Sequence, residues 1–150
     1  MPPIRPAWLR PALGICACSQ LRRTARAASA VYDEFLAPAR LTVTQYAILV
    51  TIGRAGTIRH TGLADELGME RTTLTRNLRP LGRQKLIKTV AGADRREHFI
   101  HLAHAGVKRL DRAYPLWEKA QRHFLSHVGE RNLSQLRAAL GAVVDAIANP

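Results

Sequence analysis

The sequence predicts a mainly α fold carrying a small β wing. Three observations lead there. The composition is 47% hydrophobic and only 5% aromatic, and a mix rich in Ala and Leu favours helices. Apolar residues recur at intervals of three and four along most of the 150 residues, the period of an amphipathic helix. The stretch from Arg59 to Ala103 breaks that pattern: a short helix, a tight turn at Gly68, an arginine-rich polar helix, then two short segments around Ala91-Gly92-Ala93-Asp94. That order is a helix-turn-helix followed by a hairpin wing. A chain of this length forms one domain with a substantial hydrophobic core.

Residues 1–12 hold four prolines and two arginines and read as a flexible arm. The segment Leu13-Gly14-Ile15-Cys16 is not a lipoprotein signal, because Arg10 and Pro11 interrupt the apolar stretch and a bulky Ile precedes the cysteine. No apolar run approaches the roughly 20 residues of a membrane span. The expected compartment is therefore cytoplasmic, with both cysteines reduced at rest.

The first helix is expected from about Leu13 to Leu36. It turns Cys18, Leu21, Ala25, Ala28, Tyr32 and Phe35 inward, and Arg22, Arg23, Arg26 and Asp33 outward. Pro38 ends it. The second begins at the capping box Thr42-Val43-Thr44-Gln45, with Leu41 and Tyr46 as the hydrophobic staple, and stops between Gly53 and Gly56. Thr57 to His60 is long enough only for a strand of a small sheet. Thr61 is expected to cap a third helix that ends at Gly68. The fourth runs from about Arg71 to Gln84, and strands at Ile87–Val90 and Glu97–Leu102 frame the wing. The fifth helix turns Val107, Leu110, Tyr114, Trp117, Gln121, Phe124 and Val128 inward, with a bend at Pro115. The sixth carries Leu133, Leu136, Leu140, Val143, Val144 and Ile147 on one face.

These elements divide the chain into a DNA-binding region, residues 41–104, and terminal helices at 13–40 and 105–150. The long apolar stripes of the terminal helices exceed what the winged unit can cover. Packing between two copies is the economical answer, so the partner list includes a second copy of this chain as a homodimer.

Charge points to the other partner. Lys and Arg number 23 against 11 Asp and Glu, a formal charge of +12. Such a charge attracts phosphate polymers, although a solvated basic surface has the same composition. The fourth helix separates these readings. Leu74, Leu78 and Leu81 make its inward stripe, while Arg71, Thr72, Thr73, Thr75, Arg76, Asn77 and Arg79 lie exposed, with no acid after Glu70. Arg can bridge guanine O6 and N7, Asn can bridge adenine N6 and N7, and Thr methyls can meet thymine. Arg95 and Arg96 at the hairpin tip suit a minor groove, with Asp94 holding an arginine by an ion pair. Double-stranded DNA is the expected macromolecular partner.

The residues Leu63-Ala64-Asp65-Glu66-Leu67-Gly68, Thr72-Thr73-Leu74-Thr75-Arg76, Leu86-Ile87, Asp94-Arg95-Arg96 and Leu102-Ala103-His104-Ala105-Gly106 together resemble the MarR family of transcription regulators over nearly the whole chain. The resemblance implies a winged-helix homodimer with the fourth helix in the major groove. It also implies repression of target genes, relieved by a small ligand or by thiol oxidation. A ligand pocket would lie between the first, second and fifth helices, lined by Tyr32, Tyr46 and Trp117. The chain departs from the family pattern at four places. Glu70 stands where a Ser or Asp is usual, Lys85 where Gly is usual, and Ala103 where Thr is usual, while Pro80 lies inside the fourth helix and should bend it. Glu70 and Ala103 leave weaker caps, Lys85 strains a left-handed backbone position, and Pro80 removes the amide bond to Arg76.

Cys18 falls where the organic-hydroperoxide-sensing branch of that family has its reactive cysteine, and Tyr32 matches a tyrosine of the same sensor. Val43 and Arg22 replace two further tyrosines, so the network that activates the thiol is incomplete. The competing role for Cys18 is that of a small buried apolar residue. In a continuous helix, Cys16 and Cys18 point about 160° apart and cannot form a relaxed disulfide. No metal or cofactor is expected: His98 and His101 face opposite sides of one strand, and His123 and His127 lack a third ligand. No phosphate loop, carboxylate pair or oriented Cys-His pair marks an enzyme. The alternative to a regulator is a DNA-associated architectural protein with no regulated operator.

Overall fold

The computed structural model describes residues 16–92 and 97–148. Within them the chain runs α1 (Ala17–Leu36), a 3₁₀ turn (Ala37–Ala39), α2 (Val43–Ala55), β1 (Thr57–Arg59), α3 (His60–Glu66), α4 (Arg71–Arg83), β2 (Ile87–Ala91), β3 (His98–Leu102), α5 (His104–Val128) and α6 (Glu130–Ala148). The mainly α fold with a small β wing is thus the observed one. The strands form an antiparallel sheet in the order β1-β3-β2, with Ile100 opposite both Ile58 and Thr89. No single helix among the described residues is long and apolar enough to cross a membrane.

The core lies where α2, α3, α4 and the sheet meet. Leu36, Ile48, Leu49, Ile52, Leu63, Leu74 and Leu81 are fully buried there, with Ile100 reaching in from β3. Helix α2 starts as its sequence dictates. Gln45 N donates to Thr42 Oγ1 at 3.2 Å and Thr42 N donates to Gln45 Oε1 at 3.1 Å, closing the capping box, and the staple residues Leu41 and Tyr46 are both buried. A third cap was not legible. Asp33, expected on the outward side of α1, accepts from Val43 N at 2.6 Å. A carboxylate at a helix N-terminus satisfies an orphan donor and favours the dipole, and it locks α1 to α2.

Other expectations are corrected. Thr61 does not cap α3: the helix begins one residue earlier at His60, after Arg59, without a side-chain cap. Cys18, Leu21 and Ala25 were expected to face inward, yet all are exposed, and burial on α1 begins only at Ala28. Helices α1 and α5 pair antiparallel. Arg109 meets Ala39, Tyr32 meets Gln121 and Phe35 meets His123. Leu13 to Ile15, expected to start α1, lie outside the described residues, as does the arm of residues 1–12.

On α5 the inward stripe is shifted. Gly106, Ala113 and Ala120 are buried, whereas Val107 and Tyr114, expected inside, are exposed. The reason is close approach: a Cβ on Gly106 would stand 2.1 Å from the Leu86 carbonyl oxygen. At Gly106 α5 thus lies against the backbone of Leu86, while Leu110 and Trp117, as expected, pack against the core. The helix continues through Pro115, and α4 through Pro80.

Candidate nucleic-acid interface

Helix α4 is held at both ends by backbone geometry. Ahead of it, α3 ends in a Schellman motif: Gly68 takes φ +59°, Gly68 N donates to Asp65 O at 3.1 Å, and Met69 N to Ala64 O at 2.8 Å. After it, Lys85 takes φ +56° in the same motif, with Lys85 N to Gly82 O and Leu86 N to Leu81 O both at 2.9 Å. Lys85 thus occupies the left-handed position where glycine would be unstrained. Glu70 precedes α4 without a side-chain cap, and Ala103 precedes α5 without one. Arg109 Nη1 donates to Gln84 Oε1 and to Ala39 O, both at 3.1 Å, so the end of α4 is tied to α5 and to the turn after α1.

The inner side of α4 is Leu74 and Leu81, both fully buried, with Leu78 packed against the same core. On the other side Arg71, Thr72, Thr73, Thr75, Arg76 and Arg79 are exposed and Asn77 is half-buried. Arg71, Thr72, Thr75, Arg76 and Arg79 line one open cleft of about 430 Å³. Two of these side chains are already engaged. Thr75 Oγ1 donates to Arg71 O at 2.8 Å and Asn77 Nδ2 donates to Thr73 O at 3.0 Å. Asn77 is therefore bonded back onto its own helix, as such residues often are.

Two contacts at the base of the wing escaped the sequence. His60 Nε2 lies 3.2 Å from Thr75 Oγ1, placing a histidine of α3 beside the exposed face of α4. Burial pushes the His60 pKa down, and His98 and Arg71 push it the same way. Arg59 Nη1 pairs with Glu97 Oε1 at 3.1 Å, and its guanidinium lies 5.5 Å from the Phe99 ring centroid. The first could be found only once α3 was packed on α4, and the second only once β1 was paired to β3. Asp94, Arg95 and Arg96, the expected wing tip, lie outside the described residues; at the wing's base Gly92 N donates to Glu97 O at 2.8 Å.

The candidate sensing residues separate into two places. Tyr46 and Trp117 stack at 5.9 Å, with Tyr114 beyond Trp117 at 6.2 Å. Tyr32 donates its hydroxyl to Gln121 Oε1 at 2.6 Å and meets Phe124 at 5.8 Å, one turn further along α5. Burial raises the pKa of both Tyr32 and Tyr46. Cys16 sits just before α1 in extended conformation, not within the helix. The disulfide argument, which assumed a continuous helix through both cysteines, therefore does not apply. The Cys16 pKa is lowered, chiefly by the Ser19 side chain and then by the Ser19 amide. No group of three His, Cys, Asp or Glu among the described residues could hold a metal.

The sequence profile of the MarR family matches residues 41–98, which spans α2 to the start of β3. The transcriptional regulator MosR of M. tuberculosis, solved in complex with DNA, is 39% identical over 88% of this chain and 98% of its own, with a TM-score of 0.76. The chain belongs to the MarR family. Its MarR-family fold extends to distant members. A mutant MarR from E. coli complexed with operator DNA superposes with a TM-score of 0.78 at 19% identity, covering 88% of this chain and 96% of that one. AbsC of Streptomyces coelicolor does so at 0.74 and 21%, covering 91% and 95%. No curated protein matches the sequence.

Proposed function

We propose that this MarR-family chain is a cytoplasmic, homodimeric repressor that reads a palindromic operator through α4 and its two-fold mate. The carrying observation is the outer face of α4, where arginines and hydroxyls stand exposed with no carboxylate after Glu70. Arg71, Thr72, Thr73, Thr75, Arg76, Asn77 and Arg79 enter the major groove in this reading, with Arg76 placed for a bidentate guanine contact. Arg95 and Arg96 follow the minor groove and Asp94 steadies them, a role taken from their place in the sequence. The relative MosR was solved bound to DNA, which supports the same partner here.

The dimer rests on α6. None of its residues is buried, and Leu136, Leu140, Val143, Val144 and Ile147 form an exposed apolar face. Release from DNA follows a small ligand near Tyr32, Tyr46 and Trp117, or oxidation of a thiol. Both cysteines are exposed, and the Ser19 side chain and amide lower the Cys16 pKa, which favours its thiolate.

A gel shift comparing DNA upstream of the chain's own gene with random duplex tests the reading. Preference for the upstream DNA is expected. Equal affinity for both would mean an architectural protein instead. Arg76→Ala should cost about 1–3 kcal/mol on the preferred sequence and relax base preference at one position. If DNA release by peroxide is the same in Cys18→Ala as in the unmodified protein, Cys18 is not the sensor.

A further inference from the structure

A second cleft, of about 310 Å³, opens between α4 and the base of the wing. Arg59, His60, Thr61, Arg71, Glu97 and His98 line it. Arg71 also lines the cleft along the outer face of α4, so the two clefts share that side chain. Two arginines face one glutamate here, and that glutamate is paired with Arg59 at 3.1 Å. The cleft therefore favours an anion, and Arg and Thr side chains are common partners of DNA backbone phosphate.

The hydrogen bonds determine what His60 offers. Thr75 has one hydroxyl hydrogen, and it goes to the Arg71 carbonyl. Toward His60 Nε2, Thr75 Oγ1 can then only accept, so Nε2 carries the proton in the neutral ring. Nδ1 is left with a lone pair, which repels phosphate. Adding a proton to Nδ1 turns it into a charged donor without disturbing the bond to Thr75. We propose that this cleft seats one backbone phosphate of duplex DNA, and that His60 joins the contact only when protonated, which makes DNA binding tighter at lower pH. This rests on the DNA-binding function proposed above.

The neighbouring groups agree with the sign. His98 from β3, Arg71 from α4 and Arg59 from β1 all oppose a proton on His60, while Glu97 favours one but is held by Arg59. Burial, His98 and Arg71 each lower the His60 pKa in the free protein. A phosphate in the cleft reverses the field and raises the pKa, so binding takes up a proton. The gain in affinity is complete below the free-protein pKa and is lost as pH rises through the DNA-bound one.

The experiment is fluorescence anisotropy with labelled upstream duplex from pH 5.5 to 8 at constant ionic strength, using the full chain and His60→Gln. Gln keeps an N–H for Thr75 but does not titrate. Affinity in the unmodified protein should rise by about tenfold per protomer as pH falls, the effect of a rise of one unit in one pKa. His60→Gln should show no such rise between pH 8 and pH 5.5. At pH 5.5 its dependence of log Kd on log salt should be shallower by about one per protomer. Tight binding that is independent of pH, or the same rise in His60→Gln, would overturn the inference and leave DNA recognition intact. Loss of the rise in His98→Gln but not in His60→Gln would overturn it too. No binding to duplex by any form at any pH would instead overturn the DNA-binding function itself.

Discussion

Leu74 on α4 and Leu140 on α6 occupy equivalent places in two amphipathic helices, yet the first is fully buried and the second is 39% exposed. The contrast holds along both elements. Leu74 and Leu81 of α4 close onto α2, α3 and the sheet, while on α6 exposure climbs through Val143 at 42% and Val144 at 64% to Ile147 at 74%. The winged region completes its core within one chain. The terminal helix does not, and an apolar face of that extent is covered in a stable protein. In the function proposed above, reading DNA and finding a partner fall to different regions, which Arg109 joins by bonding Gln84 at the end of α4 from its place on α5.

The contrast can be broken from either side. Leu140→Asp with Val144→Asp should leave the helical signal in circular dichroism intact and halve the mass seen by light scattering. Operator affinity should fall by about 10²–10⁴-fold, because two linked half-site contacts become one. An unchanged mass would show that α6 is not the interface. Leu74→Ala should act on the other region, lowering unfolding free energy by about 2–5 kcal/mol in a urea titration. A cost much under 1 kcal/mol would mean that the winged core is looser than its burial implies.

Two smaller changes sharpen the account of how α4 is held. Glu70→Ser supplies the missing cap and should add about 1 kcal/mol of stability. Lys85→Gly removes the strain of a side chain at φ +56° and should add about 0.5–1 kcal/mol, the left-handed penalty less the extra chain entropy of glycine. Neither should move the dimer mass. A stability loss from Lys85→Gly would show that the lysine side chain contributes more than its backbone costs.

Features set by neighbours in sequence were legible. The capping box at Thr42 and Gln45 and the turn at Gly68 depend on residues within one or two turns, while the left-handed Lys85 and the uncapped starts at Glu70 and Ala103 were legible as departures from the family pattern. Features set by distant contacts were not. Asp33 looked like a solvated charge until α2 was placed against it. The stripe on α5 was assigned to its large residues, because hydrophobicity scores size, whereas close approach to the Leu86 backbone selects Gly106. His60 read as the end of a strand, and only the packing of α3 on α4 put it beside Thr75.

By itself, then, the sequence determined the order and type of the elements and the inner and outer faces of α4, since both are written in local period, caps and turn residues, while its motifs carried the resemblance to the family. Tertiary structure decided which apolar faces find cover among the described residues, how Asp33 of α1 meets the start of α2, and which charged groups meet at the base of the wing. Those outcomes depend on the relative placement of helices and strands far apart in sequence, and local periodicity carries no information about that placement.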